Sequence, residues 1–213
     1  MKAIYILLTI TILAAGAPAL SKESVQSGGL GLQGKVIAIK KTAEESSDGF
    51  LVELELEFSN SGEKPLILLR PTYDDGEWWL LNTQLSVDPT DYKTSLYVGG
   101  GGPASSHSMP KWGKLRSQLD RPLPPKTLTY LIARGEKVVY RTTTYVRVFH
   151  EDRKMLDRDL WLSVTLEMWP SNLEGFGRSE FQNKLKRRWA NEGVLWVDSI
   201  ISDPIQISLR QSH

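Results

Sequence analysis

Cysteine is absent, so neither a disulfide nor a lipid-modified cysteine can hold or tether this chain, and its stability rests on an apolar core alone. No Asn-x-Ser/Thr sequon occurs either, since Asn60 is followed by Ser61 and Gly62. Histidine is scarce: His107, His150 and His213 are too few and too scattered for a histidine-rich transition-metal site. No charge of one sign dominates, with 26 Lys and Arg against 25 Asp and Glu. Setting residues 1–19 aside leaves 25 of each, a balance that argues against nucleic acid as the partner. Long apolar runs are limited to one, residues 4–15, interrupted only by Thr9 and Thr11.

That run follows Lys2 and precedes the small residues Ala15, Gly16, Ala17, Pro18 and Ala19, the pattern of a signal peptide cleaved after Ala17 or Ala19. It is shorter than the roughly 20 residues a bilayer span requires. The expectation is therefore a protein exported to the periplasm or secreted, with no stable membrane anchor after cleavage. The missing cysteines and sequons lean toward a bacterial envelope. Residues 20–34, rich in Ser and Gly, read as a flexible linker, and residues 35–213 as one domain. That length suffices to bury about 70% of the unfolded chain's surface in a single core.

Within that domain the dominant period is two. Phe50, Val52, Leu54, Leu56 and Phe58 alternate with Leu51, Glu53, Glu55 and Glu57, which puts an apolar face on a core and a carboxylate face in water. Turn residues 60–65 follow, and Leu66, Ile67, Leu68 and Leu69 then form the uninterrupted apolar run of a strand buried on both sides. Further strands are expected over residues 35–41, 78–87, 93–98, 127–132, 137–149, 159–169, 194–200 and 204–209. Turn chemistry separates them at Asp74-Asp75-Gly76, Asp88-Pro89-Thr90-Asp91 and Arg134-Gly135-Glu136. One helix is expected, over residues 178–190, where Phe181, Leu185 and Trp189 recur every fourth residue, Ser179 stands near the N-cap, and Asn191 and Gly193 offer a stop. Its narrow stripe suits an edge or open end of the fold. Many short strands with one helix predict an all-β sandwich or barrel. Residues 99–125, opening with four glycines and holding five prolines, show no strand pattern and read as a long loop.

Three stretches carry a resemblance. FLVELELEFSNSGEKPL, residues 50–66, resembles a strand of bacterial extracytoplasmic immunoglobulin-like domains that ends in Asn, a polar turn and Pro. WVDSIISDPIQISL, residues 196–209, is similar to their last strand. LIARGEKVVY resembles their Pro-Gly-Glu turn, with Arg134 where the proline would stand. The resemblance implies an immunoglobulin-like β-sandwich with one short helix inserted before the C-terminal strands. A narrower likeness, to small bacterial immunoglobulin-like proteinase inhibitors, rests on the first stretch alone, and no inhibitory loop maps onto this chain. Such motifs imply a fold and no activity.

Two catalytic or cofactor patterns fail on context. Residues 29–34, Gly-Leu-Gly-Leu-Gln-Gly, match a dinucleotide fingerprint but lack a strand before and a helix after. Ser108 and Lys111 stand at Ser-x-x-Lys spacing, but Pro110 and Gly113 oppose the helix that chemistry needs, and Ser61 and Lys64 match equally well by chance. No cofactor is expected. Asp74, Asp75 and Glu77, joined by Asp88 and Asp91 if the loops meet, offer oxygen ligands for calcium, while their ordinary role is to cap turns. His150, Glu151 and Asp152 read as a solvated turn.

Seven tryptophans are more telling. Trp161, Trp169 and Trp196 fall in strand patterns and Trp189 on the helix, all positions for packing. Trp78, Trp79 and Trp112, with Tyr97, are the candidate ligand-binding aromatics, able to stack on sugars or anchor a protein, against the ordinary alternative that they fold over the core. Two basic clusters, Lys111, Lys114 and Arg116, and Lys184, Lys186, Arg187 and Arg188, suit an anionic surface. The expected function is a noncatalytic exported binding module for a protein or polysaccharide partner. The alternatives are a carboxylate-dependent envelope enzyme such as a glycan hydrolase, or a structural or assembly protein.

Overall fold

In the computed structural model, which describes residues 28–43, 47–70, 79–89, 112–168 and 178–209, the strongest alternation builds the longest sheet. Strands β1 (Leu30–Ala43), β2 (Ser47–Asn60) and β6 (Lys137–Phe149) pair antiparallel with β2 in the centre. Phe50, Val52, Leu54, Leu56 and Phe58 are all at most 3% exposed, as the alternation predicts. On the other face Glu53 pairs with Lys40, Glu55 with Arg141 and Glu57 with Lys137. These exposed cross-strand ion pairs keep the carboxylate stripe soluble without adding much stability.

The chain enters the fold at Leu30, five residues before the expected start, and Leu30 and Leu32 lie in the core. The Gly-rich composition that suggested a linker has a packing reason instead. A Cβ on Gly31 would stand 2.6 Å from Ser59 Oγ, and one on Gly34 would stand 2.6 Å from Ile205 Cδ1. A bulge between Val36 and Ala38 switches the alternation, so that Val36 and Ile39 both pack on the core while Ile37 is left exposed.

A second sheet runs β4 (Trp79–Ser86), β7 (Leu160–Met168), with β9 (Ser199–Ile201) and β10 (Ile205–Ile207) both on the far side of β7 from β4. Ser202 spans the break between the last two: its amide donates to Val164 O at 2.8 Å and its Oγ accepts from Val164 N at 3.0 Å. The hydroxyl thereby stands in for a ladder carbonyl just before Pro204, which has no N–H to give. Thr83 of β4 and Thr144 of β6, both buried, share a 2.9 Å hydrogen bond between the two larger sheets. A third sheet, β5 (Thr129–Ile132), β3 (Leu66–Leu69) and β8 (Val194–Leu195), has β3 in its centre, and all four residues of β3 are buried. The three sheets share one apolar core, and the fold is all-β with few helices.

The expected strand over 194–200 is two strands, parted by residues 196–198, yet Trp196 is only 3% exposed. Trp161, placed in the core by its strand pattern, is half-buried, and Trp169 lies outside the described residues. The strand expected at 93–98 lies outside them as well.

One residue binds the turns together. Asn60, 2% exposed, donates from Nδ2 to Lys64 O at 2.9 Å and Ile132 O at 2.8 Å, and its Oδ1 accepts from Gly62 N at 2.8 Å. Its carbonyl accepts from Gly135 N at 2.8 Å. In the turn from Ala133 to Glu136, Gly135 has φ 76°, the value a type II turn needs at its third position, and Arg134 occupies the position that proline favours.

Candidate binding face

Residues 112–125, read from sequence as part of a structureless loop, contain a helix, α1 (Trp112–Leu119). Pro110 and Gly113 argued against a helix there. Pro110 precedes it, and Gly113 falls in its first turn, where a helix is least sensitive to a poor former. The sequence pattern missed it because eight residues are too few to show a periodicity.

The expected helix is α2 (Arg178–Arg188). Phe181, Leu185 and Trp189 are at most 1% exposed, so the four-residue stripe is its buried face. Trp189 N donates to Leu185 O, and Glu192 N and Gly193 N both donate to Trp189 O, closing the helix directly into β8. There Gly193 lets the backbones meet: a Cβ would stand 2.5 Å from Pro65 O, the atom that accepts from Val194 N.

The two helices are joined by three kinds of contact. The Arg116 guanidinium lies 4.9 Å from the centroid of the Phe181 ring. The buried Trp189 satisfies its indole N–H by donating to Arg121 O at 3.0 Å. Asp120, just past α1, takes ion pairs from Lys184, at 2.6 Å, and from Arg188. Hydrogen bonds from Lys184 first, and from Arg188, hold the Asp120 carboxyl below the ordinary carboxylate range.

Arg116, of the first basic cluster, thus meets the second far off in sequence, while Lys111 lies outside the described residues. Residues 112–126 and 178–192 hold nine Lys and Arg and three acidic residues, a formal +6, whereas the whole chain is +1 and the remainder therefore −5. Arg116, Arg121, Lys126, Lys184, Lys186 and Arg187 are exposed. Lys186 and Arg187 form no ion pair with the described residues. Asp120 and the carbonyl of Arg121 carried no signal in the sequence, because their partners lie some 65 residues on.

Of the aromatic candidates, Trp79 opens β4 opposite Met168 and Trp112 opens α1. Trp78 and Tyr97 lie outside the described residues, as do Asp74, Asp75 and Glu77. Among the described residues no three of His, Cys, Asp and Glu come together as metal ligands. The other perturbed carboxylate, Asp48, is 6% exposed and sits between Lys41 at 2.8 Å and Arg153 at 2.7 Å. The Lys41 hydrogen bond, and after it that of Arg153, hold its carboxyl below the ordinary range although burial pushes it up. This cluster closes the end of β2 against the 3-10 turn His150–Met155, which follows β6 where a turn was expected.

No family model matches this chain, and neither any curated protein nor any solved structure does.

Proposed function

We propose that the chain is an exported, noncatalytic interaction module built on an immunoglobulin-like β-sandwich, and that it meets a protein or polysaccharide partner through the face formed by α1 and α2. The observation that carries this reading is the charge segregation: a chain of almost zero net charge gathers +6 on two helices that are cross-braced by Arg116, Asp120 and Trp189. Such a concentration steers a partner of opposite charge and fixes its approach. The immunoglobulin-like part of the proposal is supported by the residues that carry the resemblance. Asn60, its polar turn and the Ala133–Glu136 turn form one hydrogen-bonded node, and the chain leaves one sheet for another between β2 and β3. Export is supported by the signal-peptide pattern.

The test has two parts. Mass spectrometry of the mature protein should find an N-terminus after Ala17 or Ala19. Retention on envelope fractions should fall when Arg121, Lys184, Lys186 and Arg187 are all changed to Gln, and should be compared with a Trp78, Trp79 and Trp112 triple variant. Unaltered retention in the charge variant would remove the helix face from the reading; a loss confined to the tryptophan variant would move the site to those aromatics.

A further inference from the structure

Resting on the helix-face reading just given, we infer that the partner held there is an acidic polysaccharide, a chain carrying carboxylate or sulfate groups at intervals. The ligand class follows from what the face offers. The described cations of α2, Lys184, Lys186, Arg187 and Arg188, span about 6 Å of its axis, and the exposed Arg116, Arg121 and Lys126 add to them from the segment braced against it, a grouping suited to a chain with several charges rather than to a single small anion. Part of that grouping is already fixed. One carboxylate, Asp120, holds both Lys184 and Arg188, a group still net positive, and Arg116 is held over Phe181. Little side-chain freedom remains to be lost there on binding.

A lipid headgroup surface fits less well. Helices that lie in a membrane present large apolar side chains to it, and those of α2, Phe181, Leu185 and Trp189, are all buried in the core while Asn183, Lys186, Arg187 and Ala190 face water. Nucleic acid fits less well too. A duplex carries a charge about every 1.7 Å and continues past any short patch, where it meets a body of formal −5. The two rings of α2 are buried and cannot stack on bases. A flexible glycan with spaced charges can follow the grouping and turn away from the rest.

The experiment measures binding of the full mature protein to polygalacturonate and heparin, with dextran, phosphatidylglycerol vesicles and double-stranded DNA as comparisons, across a salt series. Lys186→Gln with Arg187→Gln changes two exposed side chains, so the fold should hold, which circular dichroism and the Tm check. This pair should weaken polygalacturonate binding about three- to tenfold at low salt and lower the slope of log K against log salt by about one for each cation removed. Asp120→Asn is the opposing variant. It removes the one carboxylate charge within the group while its amide oxygen can still accept from Lys184 or Arg188, so the cations stay placed and binding should tighten about threefold, a gain that a purely structural role for Asp120 does not produce. Binding to vesicles or DNA but to neither acidic glycan overturns the inference. So does glycan binding that none of the three substitutions alters. If both glycans fail to bind while retention on envelope fractions still depends on the helix face, the glycan assignment falls and the module reading stands.

Discussion

Replacing Asn60 with alanine tests whether the turn node is held by hydrogen bonds or only by the apolar strands beside it. The side chain makes three bonds. The bond to Ile132 O is buried, and losing a buried partner there costs about 1–3 kcal/mol. The bonds to Lys64 O and Gly62 N are half-buried, and water can replace them at about 0.5–1.5 kcal/mol each. The sum centres on about 4 kcal/mol, a large share of the ~5–15 kcal/mol that holds a typical domain together. At ~2–4 °C per kcal/mol for a chain of this size, the Tm should fall by about 8–16 °C. Urea unfolding followed by tryptophan fluorescence gives the free energy directly, with an unchanged m-value showing that the folded state is the same. Asn60→Asp sharpens the test, because it keeps the shape and replaces the donor NH2 by oxygen. Its carboxyl would face two carbonyl oxygens at 2.8–2.9 Å, and only the protonated form can still donate to one of them. The folded pKa of this aspartate is thereby raised, so the variant loses stability as pH rises through the carboxylate range. A cost below about 1 kcal/mol for the alanine variant, or aspartate and alanine variants of equal stability at pH 4 and pH 7, would refute the argument.

Asp48→Asn should cost about 1–2 kcal/mol at neutral pH, a figure held down because Lys41 and Arg153 both reach the carboxylate from solvent. Asp48 has a lowered folded pKa, so its contribution is complete above its ordinary value of 3.8 and is lost as pH falls through the lowered one. Wild type and variant should then converge in acid unfolding. Gly135→Ala meets no atom within 4 Å, and its cost of about 1 kcal/mol in urea unfolding should come from the positive φ alone, with Gly135→Asn losing less. Gly193→Ala drives a Cβ into the backbone carbonyl of Pro65 and should cost about 2 kcal/mol or more, with hydrogen exchange rising at Val194 and Trp196.

What the sequence made legible was whatever repeats along one strand or helix. The Phe50 to Phe58 alternation gave β2 and its buried face, the four-residue run gave β3, and the stripe Phe181, Leu185, Trp189 gave α2 and its core side. Features that depend on a distant partner were not legible. Gly31 and Gly34 looked like a linker because the side chains crowding them, Ser59 and Ile205, belong to other strands. The break at residues 202–204 was legible in outline, since one strand was expected to end at 200 and the next to begin at 204, but the Ser202 hydroxyl that bonds a strand 38 residues back was not. The candidate face was half legible: both basic clusters were visible, but their meeting depends on Asp120, whose two partners reach it from α2. The calcium candidates were chosen as turn residues, and of the aromatic ones Trp78, Trp79 and Tyr97 fell in expected strands and Trp112 in the long loop; Asp74, Asp75, Glu77, Trp78 and Tyr97 lie outside the described residues.

The parallel pairing of Leu66 with Val194 and Ile67 with Leu195 has a consequence for the order in which the chain assembles. Synthesis delivers Leu66–Leu69, four consecutive apolar residues, long before β8 exists to cover that edge. The central strand β7 likewise waits for β9 and β10. A chain emerging from its N-terminus therefore carries two incomplete sheet edges until its final segment arrives, and such edges are where aggregation starts. A chain shortened before residue 194 would be expected to aggregate instead of settling into a smaller domain, and under the export proposed above, holding the chain extended until the last strands are through would avoid that fate.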